Sequence, residues 1–159
     1  IRESGMIDFS KLVITPGEKV WTVIIDIYPI NADGNIIDAA TIGAVAALKR
    51  AKLPALNEKG KIDYDKPATT SLPLSKETAP LTFTFFKLGD SIILDPTREE
   101  DEACEGRIAL AISKWSDQYM INSCQKGEEM PFSREELERI FDLLPKKYEE
   151  INEKLKKFL

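Results

Sequence analysis

A chain of 159 residues is long enough for one domain with a real core. Charged residues make up 31% and hydrophobic ones 43%, the balance of a soluble globular protein, and a net charge of −5 excludes a polycation that seeks nucleic acid by bulk charge. Histidine is absent, which removes the commonest general base and the commonest zinc ligand. Cys104 and Cys124 form no CxxC pair and no zinc spacing, so two inert thiols in a reduced, cytoplasmic setting are expected. No apolar run reaches the length of a bilayer span. The first residues, IRESGMID, lack the basic-then-apolar layout of a signal peptide, and the start at Ile1 reads as a piece of a longer protein.

Ile1 to Ser4 reads as the end of a helix stopped by Gly5. Ile7 to Leu12 is a connector, and Thr15-Pro16-Gly17-Glu18 is a turn before a strand from Lys19 to Ile30. Asp33-Gly34 is a tight turn. A helix follows from about Ile36 to Leu53, with Pro54 at its exit. Its charges cluster at Lys49, Arg50 and Lys52, so it is expected to be buried on nearly every face.

Asn57 to Glu77 is a polar loop with one short strand at Lys61 to Tyr64. Leu81 to Phe86 alternates Thr with large apolar residues, as a strand does, and the turn at Gly89 leads to a second strand, Ile92 to Leu94. Asp95 to Glu105 carries six acids against Arg98 and reads as a solvated connector rather than a metal cluster. Two strands, Arg107 to Ser113 and Gln118 to Ser123, are joined by a turn near Trp115 to Asp117. The terminal helix starts at Ser133, where Ser133 and Glu136 form a capping box. Its apolar positions run from Leu137 to Phe158, and Pro145 is expected to kink or split it. Strand, helix, four strands and helix make an α+β pattern without the βα alternation of a doubly wound sheet.

Three segments carry a resemblance: RESGMIDFSKLVITPGEKVWTVIIDIYPINADGNIIDAATIGAVAAL, PLTFTFFKLGDSIILDPTREEDE, and the strand pair ending in Gln125-Lys126-Gly127 with the helix after it. In them the chain resembles the RNase PH family, and within it the non-catalytic RNase PH-like subunits of archaeal exosomes. The resemblance implies an RNase PH-type fold, a ribosomal protein S5 domain 2-like half followed by an RNase PH C-terminal-like half, incomplete at the N-terminus. It places the end of the first half at residues 1–56, a linker at 57–79 and the second half at 80–159.

Catalytic members of the family are phosphate-dependent 3′-to-5′ exoribonucleases. That chemistry needs donors and an arginine to hold the phosphate nucleophile, a pair of carboxylates, and a basic track for RNA. Catalytic members carry a Gly-Ser-Arg-Thr type loop before the helix, and this chain has Asn35-Ile36-Ile37-Asp38 there. Asp38 repels phosphate and instead suits the helix macrodipole. One carboxylate position falls near Glu105; the other, in a Gln-Met-Asp-Gly type ending, is Lys126 here. These six are vestigial active-site positions, so no catalytic residue, cofactor or metal is expected. Arg2 is the candidate RNA contact, while Arg107 reads as an ion-pair partner of Glu105.

The resemblance thus implies a non-catalytic subunit that pairs with a catalytic RNase PH-like subunit. The pair builds a trimer of heterodimers, a hexameric ring with RNA-binding cap subunits that takes single-stranded RNA and does not touch a membrane. The competing readings are an active phosphorolytic nuclease, which needs Ser and Arg after Gly34 and an Asp near Gly127, and an α+β interaction domain without RNA.

Overall fold

In the computed structural model, residues 1–75 and 79–157 are described. The chain opens on two short 3₁₀ turns, Arg2–Ser4 and Phe9–Leu12. Gly5 ends the first with φ 68, a conformation that costs glycine little. A small antiparallel pair follows, β1 (Val13–Thr15) and β2 (Lys19–Val20). Helix α1 runs from Ile36 to Arg50, and β3 (Lys52–Leu53) pairs with β4 (Thr70–Ser71). The central sheet has β5 (Leu81–Leu88), β6 (Ser91–Leu94), β7 (Gly106–Trp115) and β8 (Gln118–Gly127) in the order β6-β5-β7-β8, all antiparallel. Helix α2 (Arg98–Ala103) lies between β6 and β7, and α3 (Arg134–Leu155) closes the chain.

Alternation along β5 and β7 decides the layering. Leu81, Phe83 and Phe85 point to the same face as Ile108, Leu110 and Ile112, and α3 covers that face with Ile140, Leu144 and Tyr148. The Tyr148 hydroxyl, deep in this layer, donates to the Ala79 carbonyl at 3.0 Å, which resolves the cost of burying it. On the opposite face, Thr82 and Thr84 meet α1. A second, smaller core gathers Met6, Ile7, Leu12, Val45, Leu48 and Leu72. Helix α1 serves both cores, with Ile42 against the first and Val45 and Leu48 within the second.

Five sequence expectations change. The expected strand Lys19 to Ile30 forms a ladder only at Lys19–Val20. A strand needs a paired neighbour, and among the described residues no strand pairs with Thr22 to Ile30; Tyr28 is 82% and Ile30 102% exposed. Helix α1 stops at Arg50, before β3, and is not buried on nearly every face: only Ala44, Val45 and Leu48 are. The expected strand at Lys61 to Tyr64 is a single bridge, Ile62 to Leu56, and the pairing falls to Thr70–Ser71 instead. The acidic connector contains α2, whose start is fixed by a capping box of Thr97 and Glu100. Of the kink or split expected at Pro145, the split does not occur: α3 is one continuous helix. The Pro145 ring removes the N–H that would bond the Phe141 carbonyl, while buried Leu144 and Tyr148 anchor the helix on both sides of the proline. The loop end at Glu77 and the apolar position Phe158 lie outside the described residues.

Candidate functional site

The residues that matter lie where the start of α1 meets the β5 and β7–β8 strands. Asn35 is the N-cap of α1, and its Oδ1 accepts from the backbone amides of Ile37 at 3.1 Å and Asp38 at 3.3 Å. Amides at a helix start are what a phosphate would use. Here the protein's own side chain already occupies two of them. The Asn35 carbonyl takes a third, from Ala39 at 3.3 Å. The Asn35 amide nitrogen is buried without a hydrogen-bond partner, although the amide lies close enough to Asp38 to favour its charged form slightly.

Asp38 points inward rather than out of the helix start. Its carboxylate accepts from the Thr84 amide at 2.9 Å and the Thr84 hydroxyl at 2.8 Å. The reason lies in the sheet: β6 pairs with β5 only from Phe85 to Leu88, so the Thr84 amide on that edge has lost its strand partner. Asp38 takes the strand's place. One turn further on, the Thr41 and Thr82 hydroxyls share a hydrogen bond of 2.8 Å. Burial pushes the Asp38 carboxyl above its ordinary value; the Thr84 bonds oppose this, and nearby Asp95 adds to it. Asn35 and Asp38 also line a cavity of about 420 Å³ walled by Ile42, Leu81, Phe83 and Ile151.

A second, much smaller cleft of about 60 Å³ lies between Ile37, Thr84, Arg107, Gln125 and Gly127, with Lys126 at its edge. Arg107 sits directly across the ladder from Gly127, and its side chain lies over the glycine. A Cβ at Gly127 would come within 2.6 Å of Arg107 Nε. Lys126 turns its ammonium to the Glu128 carbonyl at 2.5 Å. The cleft is therefore lined by an arginine, a lysine and Ile37.

Of the six positions singled out in the sequence, Asn35, Ile36, Ile37 and Asp38 form the start of α1, and Ile37 and Lys126 share the small cleft. Glu105 stands apart: it precedes β7, its amide donates to the Lys87 carbonyl at 2.9 Å, and it does not line the cleft. The expected Arg107–Glu105 ion pair is not among the ion pairs of the described residues. The Arg107 side chain lies instead over Gly127, across the ladder. Arg2 is exposed in the first 3₁₀ turn and pairs with Glu3 at 2.8 Å. The Asp38–Thr84 contact had no local signal in the sequence, because it joins residues 46 positions apart. Among the described residues no group of three or more His, Cys, Asp or Glu side chains could hold a metal ion, and no helix is long and apolar enough to cross a membrane.

A helix laid on a four-stranded antiparallel sheet, with its N-terminus at the sheet edge and a long terminal helix behind, is an RNase PH-type α+β arrangement. The sequence model of the 3′ exoribonuclease family, domain 1, matches residues 3–54, and that of domain 2 matches residues 78–143. The chain belongs to the 3′ exoribonuclease (RNase PH) family. It is similar to the exosome complex component Rrp42 of Thermoplasma acidophilum, with 42% identity over 87% of this chain and 49% of the relative. The Rrp42 component of Thermococcus kodakarensis is 37% identical over 99% of this chain and 57% of the relative. Among solved structures, a chain of the Archaeoglobus fulgidus exosome with RNA bound to the active site superposes with a TM-score of 0.82 at 32% identity, covering 98% of this chain and 57% of that one. The chain thus spans about half the length of the curated relatives it matches.

Proposed function

We propose that this chain is part of a non-catalytic subunit of an archaeal RNA-degrading exosome. It pairs with a catalytic RNase PH-like subunit, and three such pairs form a hexameric ring in the cytoplasm with RNA-binding cap subunits on one face. In this reading the chain supports its partner's active site and lends contacts to single-stranded RNA, Arg2 among them. Its own residues 1–56 close the first half of the fold, 57–79 link, and 80–159 form the second half.

The observation that carries the loss of catalysis is the start of α1. Its amides are capped by Asn35 and its one acid is turned onto Thr84. Phosphorolysis needs an incoming phosphate held by donors and a cation, and a carboxylate to manage the leaving group. At this helix start the Ile37 and Asp38 amides are already taken by Asn35, and the family resemblance reads Lys126 at the position of the second carboxylate. The similarity to exosome components supplies the assembly.

The test mixes the full-length protein with the catalytic subunit and follows phosphate-dependent release of nucleoside diphosphates from single-stranded RNA. The pair is expected to outperform the catalytic subunit alone, and this protein alone to release nothing. Release by this protein alone would overturn the non-catalytic reading, and an unchanged partner would overturn the support role.

A further inference from the structure

The edge of the central sheet has a gap. Strand β6 pairs with β5 only between Phe85 and Leu88, so β5 from Leu81 to Thr84 has no strand on that side among the described residues. The ladder stops where Asp95, the first residue past β6, takes φ 54, a left-handed conformation uncommon outside glycine. Beside the open edge lies the cavity of about 420 Å³ that Asn35 and Asp38 line. Helix α1 walls it with Ile42 and α3 with Ile151, and Leu81, Phe83 and Leu94 complete the apolar lining. Sites for small organic molecules have this character, with volumes of about 300–1,000 Å³, mostly apolar walls and a few polar groups that fix orientation.

The polar groups here are mostly acidic. Asp38 and Asp95 both line the cavity, close enough that the Asp95 charge acts on the Asp38 carboxyl. Asp38 gives each carboxylate oxygen one bond to Thr84, which leaves each a further lone pair. No ion pair among the described residues holds Asp38 or Asp95. The one lysine in the lining, Lys147, is already paired with Glu150 at 2.8 Å, and Lys154 takes the other oxygen of that carboxylate at 2.8 Å.

Two like charges beside an apolar wall disfavour each other, and a cation set against them relieves both. An anion meets the opposite, so a phosphate or a carboxylate is repelled from this end of the cavity. The apolar lining asks for more than a bare ion, because burying it takes a ligand with an apolar body.

We propose that this gap binds an organic cation, a primary amine on an apolar body, with the ammonium against Asp38 and Asp95 and the body against Phe83, Leu94 and Ile151. The cavity shares no lining residue with the small cleft at Arg107, and the proposal does not depend on the RNA-handling role.

The test adds phenylbutylamine to the full-length protein and follows backbone and carboxyl signals by NMR. Phenylbutanol and phenylbutyrate carry the same apolar body with a neutral and an anionic end. A ligand of this size should bind with a millimolar Kd. The amine is expected to shift the signals of Asp38, Asp95, Phe83 and Ile151 and to bind about tenfold more tightly than the alcohol, and the carboxylate is expected not to bind. The amine should also move the Asp38 carboxyl midpoint downward, since a cation favours the charged form. Asp38→Asn, which keeps partners for Thr84, and Asp95→Asn should each weaken the amine about 3- to 10-fold. Ala39→Phe places a ring in the cavity from the α1 wall and should abolish binding, with circular dichroism melts to show that each variant is folded.

Equal binding of amine and alcohol would mean that the carboxylates take no part, and the proposal would be overturned. Amine binding that survives all three substitutions would place the ligand elsewhere and overturn it as well. If the full-length protein takes none of the three probes, the gap is closed in the whole protein and the proposal fails, while the exosome reading stands.

Discussion

Replacing Asp38 separates two contributions that the structure superimposes. The carboxylate accepts from the Thr84 amide at 2.9 Å and the Thr84 hydroxyl at 2.8 Å, and Thr84 itself is buried. In Asp38→Ala both acceptors vanish. A buried amide left unsatisfied costs about 1–3 kcal/mol and a lost bond to a charged group adds about 1.5 kcal/mol, so a loss of about 2–4 kcal/mol is expected. For a chain of this size that is a fall of about 5–15 °C in melting temperature.

Asp38→Asn should behave very differently. Its carbonyl can still accept from the Thr84 amide, and its NH₂ can donate to the Thr84 hydroxyl oxygen. It also removes the buried charge, so stability at neutral pH should stay within about 1 kcal/mol of the parent. The pH dependence follows from the direction of the shift. The folded state holds the Asp38 carboxyl above its ordinary value of 3.8, so it binds the proton more tightly than the unfolded chain does. The parent's stability relative to Asp38→Asn is therefore greatest below about 3.8 and declines as the pH rises through the raised value. Urea denaturation of the three full-length proteins, followed by circular dichroism across this range, reads all of it. Equal damage from Asn and Ala, or no damage from Ala, would refute the clamp.

Other changes probe the frame around the site. Gly106→Ala places a Cβ 3.1 Å from the Met130 carbonyl oxygen, which backbone cannot easily yield, so it should cost about 1–3 kcal/mol in thermal melts. Gly127→Ala meets first the movable Arg107 side chain and should cost less than about 1 kcal/mol. Thr97→Ala and Ser133→Ala each remove a helix cap and should each cost about 1 kcal/mol in denaturant titrations. The Glu150 carboxyl, held by Lys147 and Lys154, is lowered from 4.5 to about 2. Its depressed value means that its contribution is present above 4.5 and is lost as the pH falls toward about 2. An NMR titration of that carboxyl should show the depressed midpoint moving upward in 1 M salt.

What the sequence made legible were the elements whose signal is local. The Thr and apolar alternation of β5 and the capping box of α3 place those elements correctly, because period and cap act within a few residues. Helix α2 was missed for the opposite reason. Arg98 to Ala103 has no apolar stripe, and its Thr97–Glu100 cap was the only readable sign. The start of α1 was only half legible. The isoleucines and the acid at the helix start could be read directly, but Asp38 looked like a surface charge on a helix end. Its partner Thr84 is brought to it only by tertiary packing, and only because β6 ends early. The Arg107 side chain likewise found Gly127 across the ladder rather than Glu105 two positions before it.

The stretch from Thr22 to Ile30 makes no ladder, so its amides should exchange with solvent deuterium faster than those of β5 and β7. With Ile24, Ile27 and Tyr28 exposed, it is also open to a strand from a neighbouring molecule. Two residues stand guard there. Asp26 places a charge in the middle of the run, and Pro29 removes one N–H from the edge that another strand would need. They act as gatekeepers, and an Asp26→Val change should therefore shorten the lag before aggregation without touching either core.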